Sequence, residues 1–249
     1  MTLYHLLTHT SGVGDYVDEE LSDGMEQLKR LYSKYPVYLW EHLEYYLPMI
    51  TTLPEKFEPG ERFGYSNTGF ILLGLVIEAV SGLSYQDYVT ENIIKPCGMV
   101  HTGFYRMDCL PKNTAYGYMK DEEANRWYMN IFNMPIVGGS DGGIFTTADD
   151  INRLWRAVAR YEILSKEMTE IFLKPHVKRK NEGERYGLGV YVKNGLTNPA
   201  YYAVGGDFGV EFFTVYFPKE GITATALANT EIELYMLLRK IFSFYYDEG

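Results

Sequence analysis

The tripeptide Tyr65-Ser66-Asn67 places a phenol and an amide two residues apart, immediately before a strongly apolar stretch. A tyrosine at such a junction could stand in the wall of a cleft, with the Asn67 amide presented close to it. A phenol has an ordinary pKa of about 10, so Tyr65 could accept a proton only beside strong positive charge. The structural alternative is that Asn67 caps the following helix and that Tyr65 packs against the core.

A glycine-rich segment near the C-terminus, Val204-Gly205-Gly206-Asp207, precedes a run of strand-forming residues. Glycines in a strand allow another backbone or a ligand to approach closely. A strand edge that hydrogen-bonds a carbonyl substrate would use that opening, and the alternative is a bulge or a bend. Gly205, Gly206 and Asp207 are therefore candidate substrate-binding residues.

Residues 138–142 match the G-x-S-x-G pattern around Ser140, and His176 lies downstream as a conceivable base. A nucleophile elbow needs a strand before the serine and a helix directly after it. Here a glycine-rich loop surrounds the serine, which favours a tight backbone crossing. An unrelated esterase that uses Ser140 nevertheless stays open as an alternative function.

His5 and His9 are four residues apart and could share one face of a helix. The glutamate of a zinc-binding H-E-x-x-H motif is absent, because Leu6 occupies its place. A zinc site also needs further ligands. We therefore expect no metal site and no cofactor, and His9 is expected to hydrogen-bond nearby backbone.

Taken in their order along the chain, these motifs resemble the serine β-lactamase and penicillin-binding-protein-like family, in its branch of class C β-lactamases, esterases and D-aminopeptidases. The ordered set is more specific than any single triplet, and it extends over nearly the whole chain. The matching stretches are residues 6–12, 57–60, 65–67, 69–82, 138–139, 142–143, 146–150, 186–189 and 205–206.

The resemblance implies a mechanism of acyl transfer. A serine in an S-x-x-K motif attacks an acyl carbonyl, and its lysine exchanges a proton with the tyrosine of a Y-x-N motif. A third motif, K-T-G or H-x-G, lies on a strand that borders the substrate and supplies an oxyanion-hole N–H. Tyr65 and Asn67 match the second motif, and residues 205–207 are the best match to the third.

The chain departs from this pattern at the residues that would carry the first motif. No serine is followed by a lysine three residues later, and Val204 stands where the family usually has Lys or His. Met1 occupies the place of an apolar Ile or Val that commonly precedes the Thr-Leu pair of the family's 2–12 block. The chain is therefore expected to be N-terminally incomplete, a fragment without its nucleophile and inactive by itself.

Two further expectations follow from the same departure. The first is an alternative function, a catalytically dead module that binds a peptide or a cell-wall fragment. The second is that sheet surface left uncovered by the missing front supports a homodimer. The acyl substrate, whether β-lactam, D-peptide, ester or amide, is not defined by the sequence.

The fold class expected is α+β, with an antiparallel sheet flanked by helices plus a mainly helical region. One β-lactamase-like domain would span residues 1–249, with helices over about 14–165 and the sheet and C-terminal helix over about 166–249. Periodicity and capping signals predict individual elements. The predicted helices span residues 23–32, 37–46, 68–80, 84–96 and 147–161, with a final one capped by Thr230, and the predicted strands span residues 186–192, 210–217 and 222–228.

Composition excludes several classes of protein. The net charge of −10 argues against a nucleic-acid binder, and no run of about 18 apolar residues predicts a membrane span. The first residues do not resemble a signal peptide, and any signal upstream of Met1 would leave the compartment undefined. Cys97 and Cys109 could form one bridge or stay free thiols.

Overall fold

We describe a computed structural model in which residues 1–18, 24–179, 183–193 and 198–246 are placed. The helices are α1 Leu3–Leu7, α2 Gly24–Lys34, α3 Leu47–Ile50, α4 Asn67–Ser81, α5 Tyr85–Val89, α6 Ala148–Ala159, α7 Lys166–Leu173 and α8 Leu234–Tyr246. The strands are β1 Tyr118–Asp121, β2 Arg126–Met129, β3 Val177–Lys178, β4 Glu184–Tyr186, β5 Tyr191–Lys193, β6 Ala200–Asp207, β7 Val210–Phe217 and β8 Ile222–Ala228.

Six of these strands form one antiparallel sheet in the order β3-β4-β5-β6-β7-β8, so neighbours in sequence are neighbours in space. Strands β1 and β2 form a separate antiparallel hairpin. The predicted hairpin of residues 210–217 and 222–228 is confirmed, with Phe217 opposite Ile222 at its turn. The α+β class predicted from the sequence is also confirmed.

Helices cover both faces of the sheet because alternate residues of β7 are apolar on either side. Phe213 and Val215 pack with Leu238 of α8 in one buried cluster. On the other face the ring of Trp155 stacks on Tyr216, with centroids 5.5 Å apart. Burial of this apolar surface on both sides holds the sheet between α6 and α8.

Helix α4 has the boundaries that its sequence specifies. The Ser66 hydroxyl caps its first turn by accepting a hydrogen bond from the Gly69 N–H. Gly82 ends the helix in the left-handed conformation, with φ of 71°. Ile71 is fully buried in a cluster with Leu43, so the apolar face of α4 packs inward. The predicted helix over residues 68–80 is confirmed.

Two other predicted caps are also present. The Ser84 hydroxyl accepts from the Asp87 N–H at the start of α5, and Thr147 accepts from the Asp150 N–H at the start of α6. Helix α5 continues into one π-helical turn at Thr90–Ile94. Helix α6 ends before Tyr161, which has a positive φ of 62°.

The prediction of one helix over residues 37–46 was wrong. Two short 3-10 helices, Val37–Leu39 and Leu43–Tyr46, replace it. The backbone is extended at Trp40 and His42, so a continuous helix is impossible there. The Trp40 side chain is instead buried in the same cluster as Ile71.

The strand predicted over residues 186–192 was also wrong, because it is two strands joined by a turn. Strand β4 ends at Tyr186 and β5 begins at Tyr191. Gly189 has a φ of +84°, a conformation that side-chain-bearing residues rarely adopt. In the turn, the Leu188 N–H donates to the Phe172 carbonyl.

The remaining predictions differ in smaller ways. Thr230 does not cap the last helix, which begins at Leu234 and is capped by a side chain from β7. Helix α7 and the β1–β2 hairpin were not predicted, and the hairpin interrupts the region expected to be helical. Helix α2 begins at Gly24, and the predicted start at Asp23 lies outside the described residues.

Cys97 and Cys109 are both free thiols, so the possible bridge between them is not formed. Within the described ranges, no single helix has the length and apolar character to cross a membrane. Asn67–Ser81 and Tyr85–Ile94 reach that length and composition only as a pair, which is bent by 80° at the break.

Candidate functional site

An open cavity of about 2000 Å³ lies where the start of α4, strand β6 and the loop of residues 138–143 meet. The five residues singled out from the sequence all line it, although the two groups are far apart along the chain. These residues are Tyr65, Asn67, Gly205, Gly206 and Asp207. The fold therefore brings the two candidate motifs to one site.

Tyr65 is held at the cavity wall by the ring of His9, with centroids 4.2 Å apart. His9 is buried, and burial together with the nearby Arg179 charge lowers its pKa to about 3. The neutral ring accepts from the Ser66 N–H at Nδ1 over 3.2 Å. Its Nε2–H is therefore the donor to the Tyr186 hydroxyl, 3.0 Å away.

His9 thus fixes the backbone between Tyr65 and Asn67. It occupies a left-handed conformation with φ of 53°, which is uncommon for a residue with a side chain. His9 was expected to bond backbone near its own helix end, but the backbone group that it bonds is the Ser66 N–H, which is distant in sequence. His5 lies elsewhere, in the wall of a second pocket, so the two histidines do not form a pair of ligands.

Asn67 is held by the carboxylate of Asp15, which is buried at the start of α4. One carboxylate oxygen accepts from the Asn67 backbone N–H over 2.9 Å and from its amide Nδ2 over 3.4 Å. The other accepts from the Thr68 N–H over 3.0 Å. The alternative that Asn67 caps α4 is wrong, because Ser66 is the cap and Asn67 is the first helical residue. The hydrogen bond to Asp15 therefore orients the Asn67 side chain, which lines the cavity.

Strand β6 presents an open edge beside the cavity. Strand β5 pairs only with Ala200–Tyr202, so the last part of β6 pairs, among the described residues, with β7 alone. The ladder with β7 is regular through Gly205 and Gly206, so the alternative of a bulge at these glycines is wrong. A Cβ on either glycine would meet nothing closer than 3.9 Å. Packing within the chain does not require glycine here, and its effect is to keep the strand surface open.

Two carboxyl groups in the cavity wall have pKa values raised above that of an ordinary aspartate. Burial raises the pKa of Asp141 to about 6, against a hydrogen bond from the Tyr16 hydroxyl, and the charge of Asp207 adds to the rise. Burial also raises the pKa of Asp207 to about 6, although the Phe208 N–H donates to it over 2.8 Å. Perturbed carboxyl groups in a cleft are typical of functional sites.

Asp141 and Tyr16 were not predicted as site residues. Asp141 follows Ser140 in the glycine-rich loop, where the G-x-S-x-G pattern indicated the serine as the candidate residue. Gly139 and Gly143 lie two residues before and two residues after the aspartate, and a Cβ on Gly139 would lie 2.8 Å from its carboxylate. A compact loop that needs glycine next to an acidic residue is the signal that could have identified it.

The structure does not bring Ser140 and His176 together. The Ser140 hydroxyl is buried against Gly74 of α4 and has no hydrogen-bond partner. The His176 ring instead bonds the Ile171 carbonyl over 2.8 Å and contacts the ring of Tyr4. In the described part of the chain, no group of three His, Cys, Asp or Glu residues is arranged to hold a metal ion.

Comparison with known proteins gives one consistent match. A family model described as Beta-lactamase matches residues 1–237. Penicillin-binding protein 4* of Bacillus subtilis is 30% identical over 207 residues, which are 78% of this chain and 43% of that protein. The chain therefore spans less than half of this curated relative.

Solved structures agree in fold. A penicillin-binding protein from Bacillus halodurans superposes with a TM-score of 0.91 at 40% identity, over 98% of this chain and 74% of that one. A D-stereospecific amidohydrolase from Streptomyces superposes with a TM-score of 0.80 at 21% identity, over 100% and 73% of the two chains. At that identity the second match concerns the fold alone.

Proposed function

Because the chain belongs to the serine β-lactamase and penicillin-binding-protein-like family, we propose that it is the body of a serine hydrolase that transfers the acyl group of a β-lactam, D-peptide, ester or amide. One observation carries the proposal. Tyr65 and Asn67 line the same cavity as the open edge of β6, although these residues come from distant parts of the chain.

In this proposal Tyr65 is the proton-transfer partner of the nucleophile. Its phenol stands at the cavity wall and its ring is held by His9. Tyr65 needs a nearby cation to lower its pKa enough to accept a proton at neutral pH. In the family pattern that cation is the lysine of S-x-x-K, which this sequence lacks.

Asn67 and β6 bind the substrate on either side of the reacting carbonyl. The Asn67 amide, held by Asp15, orients a substrate amide. The open edge at residues 203–207 pairs with the acyl side of the substrate as an added strand. A backbone N–H of that edge donates to the oxyanion that develops during attack.

We also propose that the chain by itself does not form an acyl-enzyme. None of the described residues that line the cavity is a serine or a cysteine. Ser66 is next to Tyr65, but its hydroxyl caps α4. In the family pattern the nucleophile is the serine of S-x-x-K, which this sequence lacks.

Labelling with a fluorescent penicillin and a fluorophosphonate tests both proposals. The 249-residue chain should take up neither probe. The same chain extended at its front by a segment that carries an S-x-x-K motif should be labelled at the serine of that motif. Labelling of the unextended chain would refute the proposal that it lacks a nucleophile. An extended, folded chain that reacts with neither probe would refute the proposal that it is part of a serine hydrolase.

A second candidate is a binding module without turnover. Val204 in place of Lys or His, together with a cavity wall without serine among the described residues, favours it. Calorimetry with muropeptides should then show saturable binding to the unextended chain, and that binding should weaken in Asp207→Ala. Absence of binding across a broad muropeptide panel would exclude this candidate.

A further inference from the structure

A second pocket, of about 580 Å³, shares no lining residue with the candidate site. Its wall contains the cationic groups of Arg62, Lys178 and Arg179, the imidazole of His5 and a single carboxylate, Glu61. The chain as a whole carries a net charge of −10, so this concentration of positive charge is a local exception. Such a concave positive surface attracts anions.

Two buried nitrogen atoms in the side chains of this wall have no hydrogen-bond partner among the described residues. Among the described residues, the buried side-chain nitrogen and oxygen atoms without a partner are His5 Nδ1, Arg179 Nε and Ser140 Oγ. The first two belong to this pocket, and a buried donor left unpaired costs about 1–3 kcal/mol. Native proteins usually satisfy such groups with water or an ion. Two of them in one cationic pocket point to an anionic acceptor.

The contacts of Arg179 hold its guanidinium group in place beside the pocket. Its Nη1 donates to the Glu184 carboxylate over 2.6 Å. The guanidinium carbon lies 4.6 Å from the ring centroid of Tyr191 and 5.5 Å from that of Phe63. The orientation of the donor fork is thereby set before any ligand binds, which lowers the entropic cost of binding.

Lys178 supplies a second charge at the mouth of the pocket. Its side chain is exposed at the edge of the sheet in β3, and within the described ranges it forms no ion pair. The Glu61 carboxylate, in contrast, already accepts a hydrogen bond from the Glu58 N–H. Among the described residues, the Lys178 charge is therefore not compensated by a paired carboxylate.

We propose that this pocket binds a small oxyanion, a phosphate or carboxylate group, held by Arg179, His5 and Lys178. The ligand oxygens accept hydrogen bonds from the Arg179 guanidinium and from the His5 imidazole N–H. A small shift of these side chains gives the two buried nitrogen atoms a hydrogen-bond partner. The exposed Lys178 ammonium group compensates negative charge of the ligand from the solvent side. His9 separates this pocket from the acyl-transfer site, because its ring contacts both Phe63 and Tyr65.

Calorimetry and thermal unfolding of the full chain with sodium phosphate and with sodium acetate test this proposal, against sodium chloride at matched ionic strength. At least one oxyanion should bind saturably and raise Tm by a few degrees beyond chloride, because a ligand that binds only the folded state stabilises it. Stabilisation by phosphate alone would identify a phosphate site. Stabilisation by acetate would identify a carboxylate site.

Two variants and one control make the result specific. Lys178→Glu reverses an exposed charge at the pocket, and His5→Phe removes the imidazole donor. Each should weaken oxyanion binding at least five-fold, while Lys174→Glu, an exposed charge reversal outside the pocket, should not. No response beyond chloride, or equal binding in Lys178→Glu, His5→Phe and the parent chain, would overturn the proposal.

Discussion

At the scale of single residues, the candidate site contains carboxyl groups that destabilise the fold at neutral pH. The pKa of Asp207 is raised by burial to about 6, above the 3.8 of an ordinary aspartate. The folded state therefore holds the proton more tightly than the unfolded state. The contribution of Asp207 to the free energy of unfolding is therefore most favourable below about pH 4, falls as the pH rises toward 6, and stays lower above that pH.

Asp207→Asn should remove this pH-dependent loss. The amide oxygen can still accept from the Phe208 N–H, but it carries no charge that burial penalises. We expect Tm to rise by about 2–6 °C at pH 8 and to be unchanged near pH 4. Thermal unfolding followed by circular dichroism at both pH values measures the effect.

Asp108→Asn is the matched control for that experiment. Its carboxyl group is exposed, and the hydrogen bond from Arg106 lowers its pKa. Neutralising it should give no gain in Tm at pH 8. An equal gain in both variants would mean that the overall negative charge, and not burial at the site, causes the effect.

The residue types at the site were accessible from the sequence, but their supports were not. Tyr65, Asn67 and the two glycines carry a recognisable spacing. Asp15 and His9 act through hydrogen bonds to residues more than fifty positions away. Such partners depend on the packing of α1 against α4, which local spacing does not reveal.

At the scale of elements, the start of α8 depends on a side chain from the neighbouring strand. The Glu211 carboxylate accepts from the N–H groups of Ile232, Glu233 and Leu234, the last over 2.6 Å. Three otherwise unpaired donors and the positive end of the helix dipole are satisfied together. Capping signals in sequence are read from adjacent residues, which is why Thr230 was predicted instead.

Glu211→Gln should therefore destabilise the chain by about 0.5–2 kcal/mol, because the amide has one acceptor oxygen and no charge. Urea unfolding at pH 7 measures the change. Glu220→Gln, an exposed substitution in the β7–β8 turn, should stay within about 0.5 kcal/mol of the parent. Equal stability of the two variants would show that the carboxylate does not cap α8.

Long apolar elements with clear ends were predicted well, as α4 and the β7–β8 hairpin show. The failures are places where tertiary contacts override periodicity. Trp40 is buried by leaving the helical path, and the alternation of residues 186–192 conceals a turn that α7 stabilises through the Phe172 carbonyl. In both cases the deciding contact comes from another element.

At the scale of the whole molecule, β8 is an edge of the sheet. Its sequence, Ile222–Ala228, contains no charged residue, and β7 is its one neighbour among the described strands. Uncharged edges of this length favour pairing with another chain. This feature supports the homodimer expected from the sequence, which we retain as a proposal.

Light scattering after size-exclusion chromatography should show a dimer whose fraction grows with concentration. Leu227→Lys places a charge on the exposed part of β8 and should shift the population to monomer. Val80→Lys, at a side chain 84% exposed on α4, should not. A parent chain that stays monomeric at about 0.2 mM protein would contradict the proposal, since weak edge pairing should be visible there.

In the proposed function, Tyr65 transfers the proton in an acyl-transfer site. The most direct test of this role is the acylation rate of the front-extended chain, followed by intact mass after mixing with a penicillin. Tyr65→Phe keeps the ring that packs on His9 and removes the hydroxyl, so the rate should fall by about 10²–10⁴-fold. Tyr161→Phe, at an exposed tyrosine, should acylate at the parent rate. An unchanged rate in folded Tyr65→Phe would contradict the account.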